Sequence, residues 1–372
     1  MISESELASL QQTVVWSSFA VAFVLGALMN RTHFCTMGAI ADVVNIGDWT
    51  RMRMWLCAIG VAILGTQWLG WAGLVDLSRS LYTTPRLTWL SYGVGGLMFG
   101  FGMVLASGCG SKTLVRVGGG SLKSLVVFIV LGLAAYMTLK GLFGVIRVAT
   151  VDSVNAQLAL GQDLPRLIAG DDAGVVKTLQ LALGAAAGLA LVGFAFASRD
   201  FRRTEPIAGG IGVGLAIIAV WYISGQIGHV AEHPRTLEDA YIGTNSGRME
   251  SLTFVSPIAY TLELLMFWSD TSKLVTIGIA TTLGMIAGSA AYALASRQFR
   301  WEGFRNVEDT ANHLAGATLM GIGGVTAVGC TVGQGISGFS TLALGSMLTF
   351  AAIVAGAVGA LHYQIWRIER TA

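Results

Sequence analysis

Gly95-Gly96-Leu97-Met98-Phe99-Gly100-Phe101-Gly102, continuing through Ala106-Ser107-Gly108-Cys109, is a passage that this chain uses twice. Adding 221 to the residue numbers lands on Gly316, Gly321, Gly323, Ala327, Gly329 and Cys330, which repeat Gly95, Gly100, Gly102, Ala106, Gly108 and Cys109. A chain with 49 glycines gives some matches by chance. Six in register, ending in Gly-Cys both times, mark a duplication. The apolar run before each copy, 53–75 and about 274–296, shifts by the same offset.

The totals say where such a passage belongs. Of 372 residues, 54% are apolar and 12% charged, against about 25% charged in an ordinary soluble domain. The mean hydropathy is +0.67. A net charge of +2, with no basic stripe, gives no footing for a nucleic-acid partner. Glycine in this setting lets membrane helices approach closely and lets backbone turn inside the bilayer. The first twelve residues carry Glu4 and Glu6 but no Lys or Arg, so the run 14–29 is expected to stay as a membrane helix rather than be cleaved.

A span of hydrocarbon about 30 Å thick needs some 20 apolar residues. Nine runs fit, at 14–29, 53–75, 88–107, 122–146, 174–197, 207–224, 272–295, 313–328 and 342–366. The fold class is therefore an all-α polytopic membrane protein of about nine transmembrane helices with short re-entrant segments. It reads as one membrane domain over 1–372, with repeat halves 14–146 and 207–366 joined by a linking helix at 174–197. Corresponding helices are five spans apart, an odd number, so the halves insert upside down relative to each other. That is the architecture in which substrate sits near the midplane, among broken helices. With the N-terminus outside, 14 of the 23 basic residues fall on inner connections, which favours N-out and C-in.

Each Gly-Cys stands where an apolar helix stops and a small, polar stretch begins. Gly110, Ser111, Lys112, Thr113 and Arg116 follow Gly108-Cys109; Thr331, Gly333, Gln334, Gly335 and Ser337 follow Gly329-Cys330. Such backbone cannot face lipid and must line a cavity or be buried in protein. Helix-end amides there suit an anion, and Lys112 and Arg116 would add positive charge. Cys35 lies just past the first helix, after Arg31, which belongs at the interface or in a wet cavity. Cys57, inside the second helix, reads as a small hydrophobe. His229, Glu232 and His233 match an H-x-x-E-H pattern, but Pro234 follows at once and denies it a helix.

At these residues the chain resembles the YeeE/YedE family of bacterial sulfur transporters, over nearly its whole length. The resemblance rests on Met29 to Gly38 around Cys35, on Gly108-Cys109 with Arg116 and Gly118, on Gly329-Cys330 with Gly333 and Gly335, and on the basic segment 296–300. It implies import of thiosulfate, or a related sulfur or selenium species, along a path with three cysteines corresponding to Cys35, Cys109 and Cys330. Cys57 has no counterpart. His33 stands where the family carries arginine, and Lys112 where it often carries glycine. The resemblance also implies residence in the bacterial inner membrane and a small cytoplasmic sulfur carrier of the TusA type as partner.

The expected function is thus transport of a small sulfur-containing anion, without cofactor or enzymatic step. Neutral thiols would hand on the ion, since a thiolate repels it. The expected path residues are Cys35, Cys109, Cys330, Gly108, Gly329, Lys112, Arg116, Gln334 and Arg31. Two alternatives stay open: a membrane thiol oxidoreductase, which the odd number of candidate cysteines and the lack of a C-x-x-C pair disfavour, and a selective anion channel.

Overall fold

A computed structural model of the protein describes residues 3–234 and 236–371. The first half runs α1 (Glu4–Thr32), α2 (Thr36–Ile46), α3 (Thr50–Trp71), α4 (Trp89–Leu105), α5 (Gly110–Gly118), α6 (Leu122–Lys140) and α7 (Leu142–Ala149). A short α8 (Leu164–Ala169) and the long α9 (Ala173–Phe196) follow. The second half runs α10 (Thr204–Tyr222), α11 (Val255–Met266), α12 (Ile277–Ala295), α13 (Val307–Thr326) and α14 (Leu344–Thr371). Two π-helical segments, Ile223–Ile227 and Gly333–Gly338, interrupt it. Among the described residues, named strands are confined to two short antiparallel ladders, Arg86–Leu87 with Ala156–Gln157 and His229–Val230 with Ala240–Tyr241.

Local chemistry sets many of the helix starts. Ser3 and Glu6 close a capping box on α1. The side chains of Ser121, Asp172 and Asn306 accept from the first turns of α6, α9 and α13. Among the described residues, eight helical stretches are long and apolar enough to cross a membrane: 4–46, 50–71, 89–118, 122–140, 173–196, 204–227, 277–295 and 344–370. The chain is an all-α polytopic membrane protein.

The ninth expected run, 313–328, falls on α13, which starts earlier and carries Glu308 and Asp309 in its first turn. The run 122–146 divides at Gly141 into α6 and α7. The short helices α2 and α11 were not anticipated.

Two sets of packing pairs are exchanged by the 221-residue offset: α4 packs on α14 and α13 on α6, and α2 meets α14 while α11 meets α6. α1 packs on α12 and α10 on α3; there α3 and α12 are mates at that offset, and α1 and α10 correspond in order alone. At the centre, α4 and α13 cross antiparallel. A Cβ on Gly95 would lie 2.7 Å from the Gly323 carbonyl oxygen, and one on Gly102 would lie 2.7 Å from that of Gly316. Gly316 is the repeat mate of Gly95, and Gly323 the mate of Gly102, so the crossing is close to its own image. Backbones this near leave no room for a side chain on either helix.

Both central helices then break in the same way. Ser107 and Val328, 221 apart, are left-handed at φ 55 and φ 56. Gly108 N–H donates to the Met103 carbonyl at 2.9 Å, and Gly329 N–H to the Gly324 carbonyl at 2.8 Å. Each is the long bond of a Schellman ending. The last carbonyls are stapled from the segment beyond. Arg116 Nη1 donates to the Ser107 oxygen at 2.8 Å. Gln334 Nε2 donates to the Ala327 oxygen at 2.7 Å and to the Val328 oxygen at 3.2 Å, while its Oε1 accepts from Ser346 at 2.6 Å.

Two outcomes test this. Gly102→Val should cost about 1–3 kcal/mol through overpacking, read as a lowered melting temperature in detergent. Gly359→Ala should cost nothing comparable, because its Cβ would meet nothing within 4 Å. Gln334→Ala should cost about 1–3 kcal/mol by leaving buried carbonyls unpaired, again read by melting.

Candidate functional site

The two breaks bring three helix starts to one place. Cys109 is extended, at φ −81 and ψ 177, and is the N-cap of α5 with no side-chain cap bond. Cys35 is the N-cap of α2, its Sγ accepting from Gly38 N–H at 3.4 Å. Cys330 opens the third start, its Sγ accepting from Gly333 N–H at 3.4 Å. The N-cap of α11, Phe254, presents its backbone N–H toward the same sulfur. The first amides of a helix have no partner inside it. Several such starts therefore face the cysteines.

The thiols form a sequence in space. Cys35 and Cys109 lie side by side. Cys109 Sγ is 3.3 Å from Ser111 Oγ and beside the side chain of Thr331. Cys330, next to Thr331 in the chain, is within electrostatic range of Cys109 and 3.9 Å from Thr253 Oγ1. Cys35 is 5% exposed, Cys109 and Cys330 0%. Cys57 is equally buried but packs at the α3–α10 contact, where a Cβ on Gly210 would lie 3.0 Å from its Sγ.

Positive charge gathers at the Cys35–Cys109 end. Lys112, half-buried on α5, interacts electrostatically with both thiols and with Arg116 and Arg51. The Arg51 guanidinium lies against Gly38, in the first turn of α2, and is bound to Asp42. Gly108 is flanked by Lys112: a Cβ there would lie 3.2 Å from the Lys112 Cγ. Gly329 similarly faces Gln334, with 3.0 Å to its Cγ.

Of the residues singled out in the sequence, Cys35, Cys109, Cys330, Gly108, Gly329 and Lys112 meet around the breaks. Arg116 and Gln334 are there too, bonded to the chain's own carbonyls. Arg31 is exposed at the end of α1. His229 is bonded to Asp239 at 3.1 Å in the loops. Thr253, Phe254, Tyr82 and Arg51 were not among the residues singled out, and Thr331 was named as part of the polar stretch after Cys330 without a role of its own. A signal existed for the first two: α2 shifted by the repeat offset overlies α11, so Cys35 maps to within two residues of Phe254.

The sulphur-transport family pattern matches residues 31–359. The thiosulfate transporter TsuA of Escherichia coli is 26% identical over 348 residues, covering 87% of each chain. TsuA of Spirochaeta thermophila is 26% identical over 351 residues, covering 92% of this chain and 97% of its own. The chain thus belongs to the sulphur-transport family, the YeeE/YedE group that its cysteine segments resemble.

Proposed function

We propose that this protein carries a small sulfur-containing anion, thiosulfate or a close relative, across the bacterial inner membrane past Cys330, Cys109 and Cys35. The observation that carries the reading is the convergence of helix starts on three adjacent thiols beside a lysine. Each helix N-terminus acts as roughly +0.5 charge. The starts of α2, α5 and α11 with Lys112 thus amount to about +2.5, a fair match for a dianion stripped of water. Each thiol adds one weak S–H donor, so the ion is held loosely at every station and can move on.

In this reading the two halves, 14–146 and 207–366, are inverted copies joined by the helix at 174–197. The exchanged packing pairs and the self-matching α4–α13 crossing support that. The N-terminus faces outward and the C-terminus the cytoplasm, which puts Arg51, Arg199, Arg202, Arg203, Arg297 and Arg300 inside. Tyr82 and Thr253, beside Cys330, come from connections on the outer side, and Cys35 follows the inner end of α1. The anion therefore meets Cys330 first and Cys35 last. A TusA-type sulfur carrier would receive it at the inner face. The protein is a transporter in this reading, not an enzyme; a thiol oxidoreductase would have to cycle a disulfide among these same cysteines.

The test is uptake of labelled thiosulfate into liposomes holding the purified protein. Cys109→Ser should keep part of the uptake, because a hydroxyl still donates, and Cys109→Ala should lose it. Cys57→Ser should transport like the parent. Equal uptake by the two Cys109 variants would end the relay reading. A catalytic Cys109–Cys330 disulfide, found by mass spectrometry after mild oxidation and required for turnover, would favour the oxidoreductase.

A further inference from the structure

Three buried hydroxyls that make no hydrogen bond of proper geometry stand beside the three cysteines, two of them with a close neighbour, Thr253 for Tyr82 and the Cys109 thiol for Thr331. They are Tyr82 Oη, Thr331 Oγ1 and Thr36 Oγ1, on residues 3%, 0% and 2% exposed. Thr36 follows Cys35 at the first position of α2. Thr331 follows Cys330 and lies beside the Cys109 thiol. Tyr82 Oη hangs over Gly333, whose added Cβ would be 3.2 Å from it, and Gly333 is the residue that donates to the Cys330 sulfur.

Their position explains why they are unspent. A threonine inside a membrane helix bonds the carbonyl four residues back, as Thr32, Thr138 and Thr326 do here at 2.7 to 2.8 Å. Thr36 and Thr331 sit immediately after a break, where no preceding helical turn offers that carbonyl. Tyr82 reaches in from the connection between α3 and α4. Of the other unpartnered hydroxyls, those of Ser18, Thr66 and Thr349 lie inside the long helices α1, α3 and α14, and that of Thr276 belongs to the N-cap of α12; all four are remote in sequence from the breaks. Buried hydroxyls keep a donor idle only at a cost, unless a guest takes it.

We infer that Tyr82, Thr331 and Thr36 are the oxygen-binding half of the path, each donating to a sulfonate oxygen while the neighbouring thiol contacts the terminal sulfur. This deepens the transport reading and rests on it. Each station then offers two chemically different donors to an anion with two chemically different ends. Sulfide lacks the oxygens for the hydroxyls, and sulfate lacks the soft terminal atom for the thiol. The recognised class is a chalcogen-substituted sulfonate, an SO3 group bearing one terminal sulfur or selenium.

The experiment compares uptake of labelled thiosulfate and selenosulfate, which share the SO3 end and differ at the terminal atom, into liposomes. Tyr82→Phe and Thr331→Val should each raise KM for both anions by roughly tenfold, leaving the ratio between them unchanged. Thr331→Ser, which keeps the hydroxyl, should restore the parent KM. Cys109→Ser should instead shift the ratio. A melting curve in detergent confirms that each variant is folded, and if Tyr82→Phe does not fold, the Thr331 pair decides. Parent-like KM for both anions in the Phe and Val variants, with Cys109→Ala inactive, would overturn this inference and leave the transport reading standing. If the parent protein moves neither anion, the transport reading fails first.

Discussion

The glycine-on-glycine crossing of α4 and α13 is the constraint from which the site follows. Two helices packed antiparallel with ordinary side chains between them would lie some 8–10 Å apart, and their ends would be separated accordingly. With Gly95 against Gly323 and Gly102 against Gly316, the backbones touch. The C-cap of each helix, Ala106 or Ala327, lies against the first repeat glycine of the other, so the two breaks stand at opposite ends of the crossing, and the segments beyond them carry Cys109 and Cys330 toward each other. The same approach excludes lipid from the irregular backbone, which hydrocarbon could not tolerate.

A break inside a membrane is costly because it frees carbonyls that nothing in lipid can satisfy. The protein answers with covalently local devices at both sites. A Schellman ending uses one set of carbonyls, and a side chain from the next segment takes the remainder: Arg116 for Ser107, Gln334 for Ala327 and Val328. What remains unspent after these bonds is the opposite end of the problem, the amides of the helices that begin beyond each break. The C-terminal ends are closed by the chain itself while the N-terminal ends are left facing the thiols. This asymmetry gives the centre a positive character suited to an anion, and Lys112, close to the Cys35 and Cys109 thiols, reinforces it.

Much of this was legible from the residues. The repeat of Gly95 through Cys109 gave the antiparallel pair, the breaks and two of the thiols, because close packing and chain reversal both demand glycine and leave it in register. The resemblance around Met29 to Gly38 supplied Cys35. Other parts were hidden for physical reasons. α2 and α11 have 11 and 12 residues, too short to register as spans, yet both aim their starts at the site. Met249, Leu252 and Phe254 sit on a connection between spans, where no sequence period marks burial, and are 0–1% exposed. Arg116 and Gln334 were singled out for an anion and are found holding backbone oxygens. Residue type gives a donor, and only the fold says which acceptor it reaches. Arg51 was counted for topology alone, and its place against the first turn of α2 depends on Gly38 lacking a side chain.

Where the repeat fails is as informative as where it holds. Cys109 and Cys330 are mates, but Cys35, the N-cap of α2, has no cysteine opposite it: its offset position is Ser256, and the N-cap of α11 is Phe254. The Cys330 end has hydroxyls nearby instead, from Thr253 and from Tyr82, a residue whose offset mate is Gly303. A path built from two identical halves would treat an ion the same way from both sides. In the proposed path the Cys330 end carries the added hydroxyls of Thr253 and Tyr82, and the Cys35 end carries Lys112 and Arg51, so an ion moving through would change its partners as it goes. The pseudo-symmetry brings the stations together, and the departures from it give them an order.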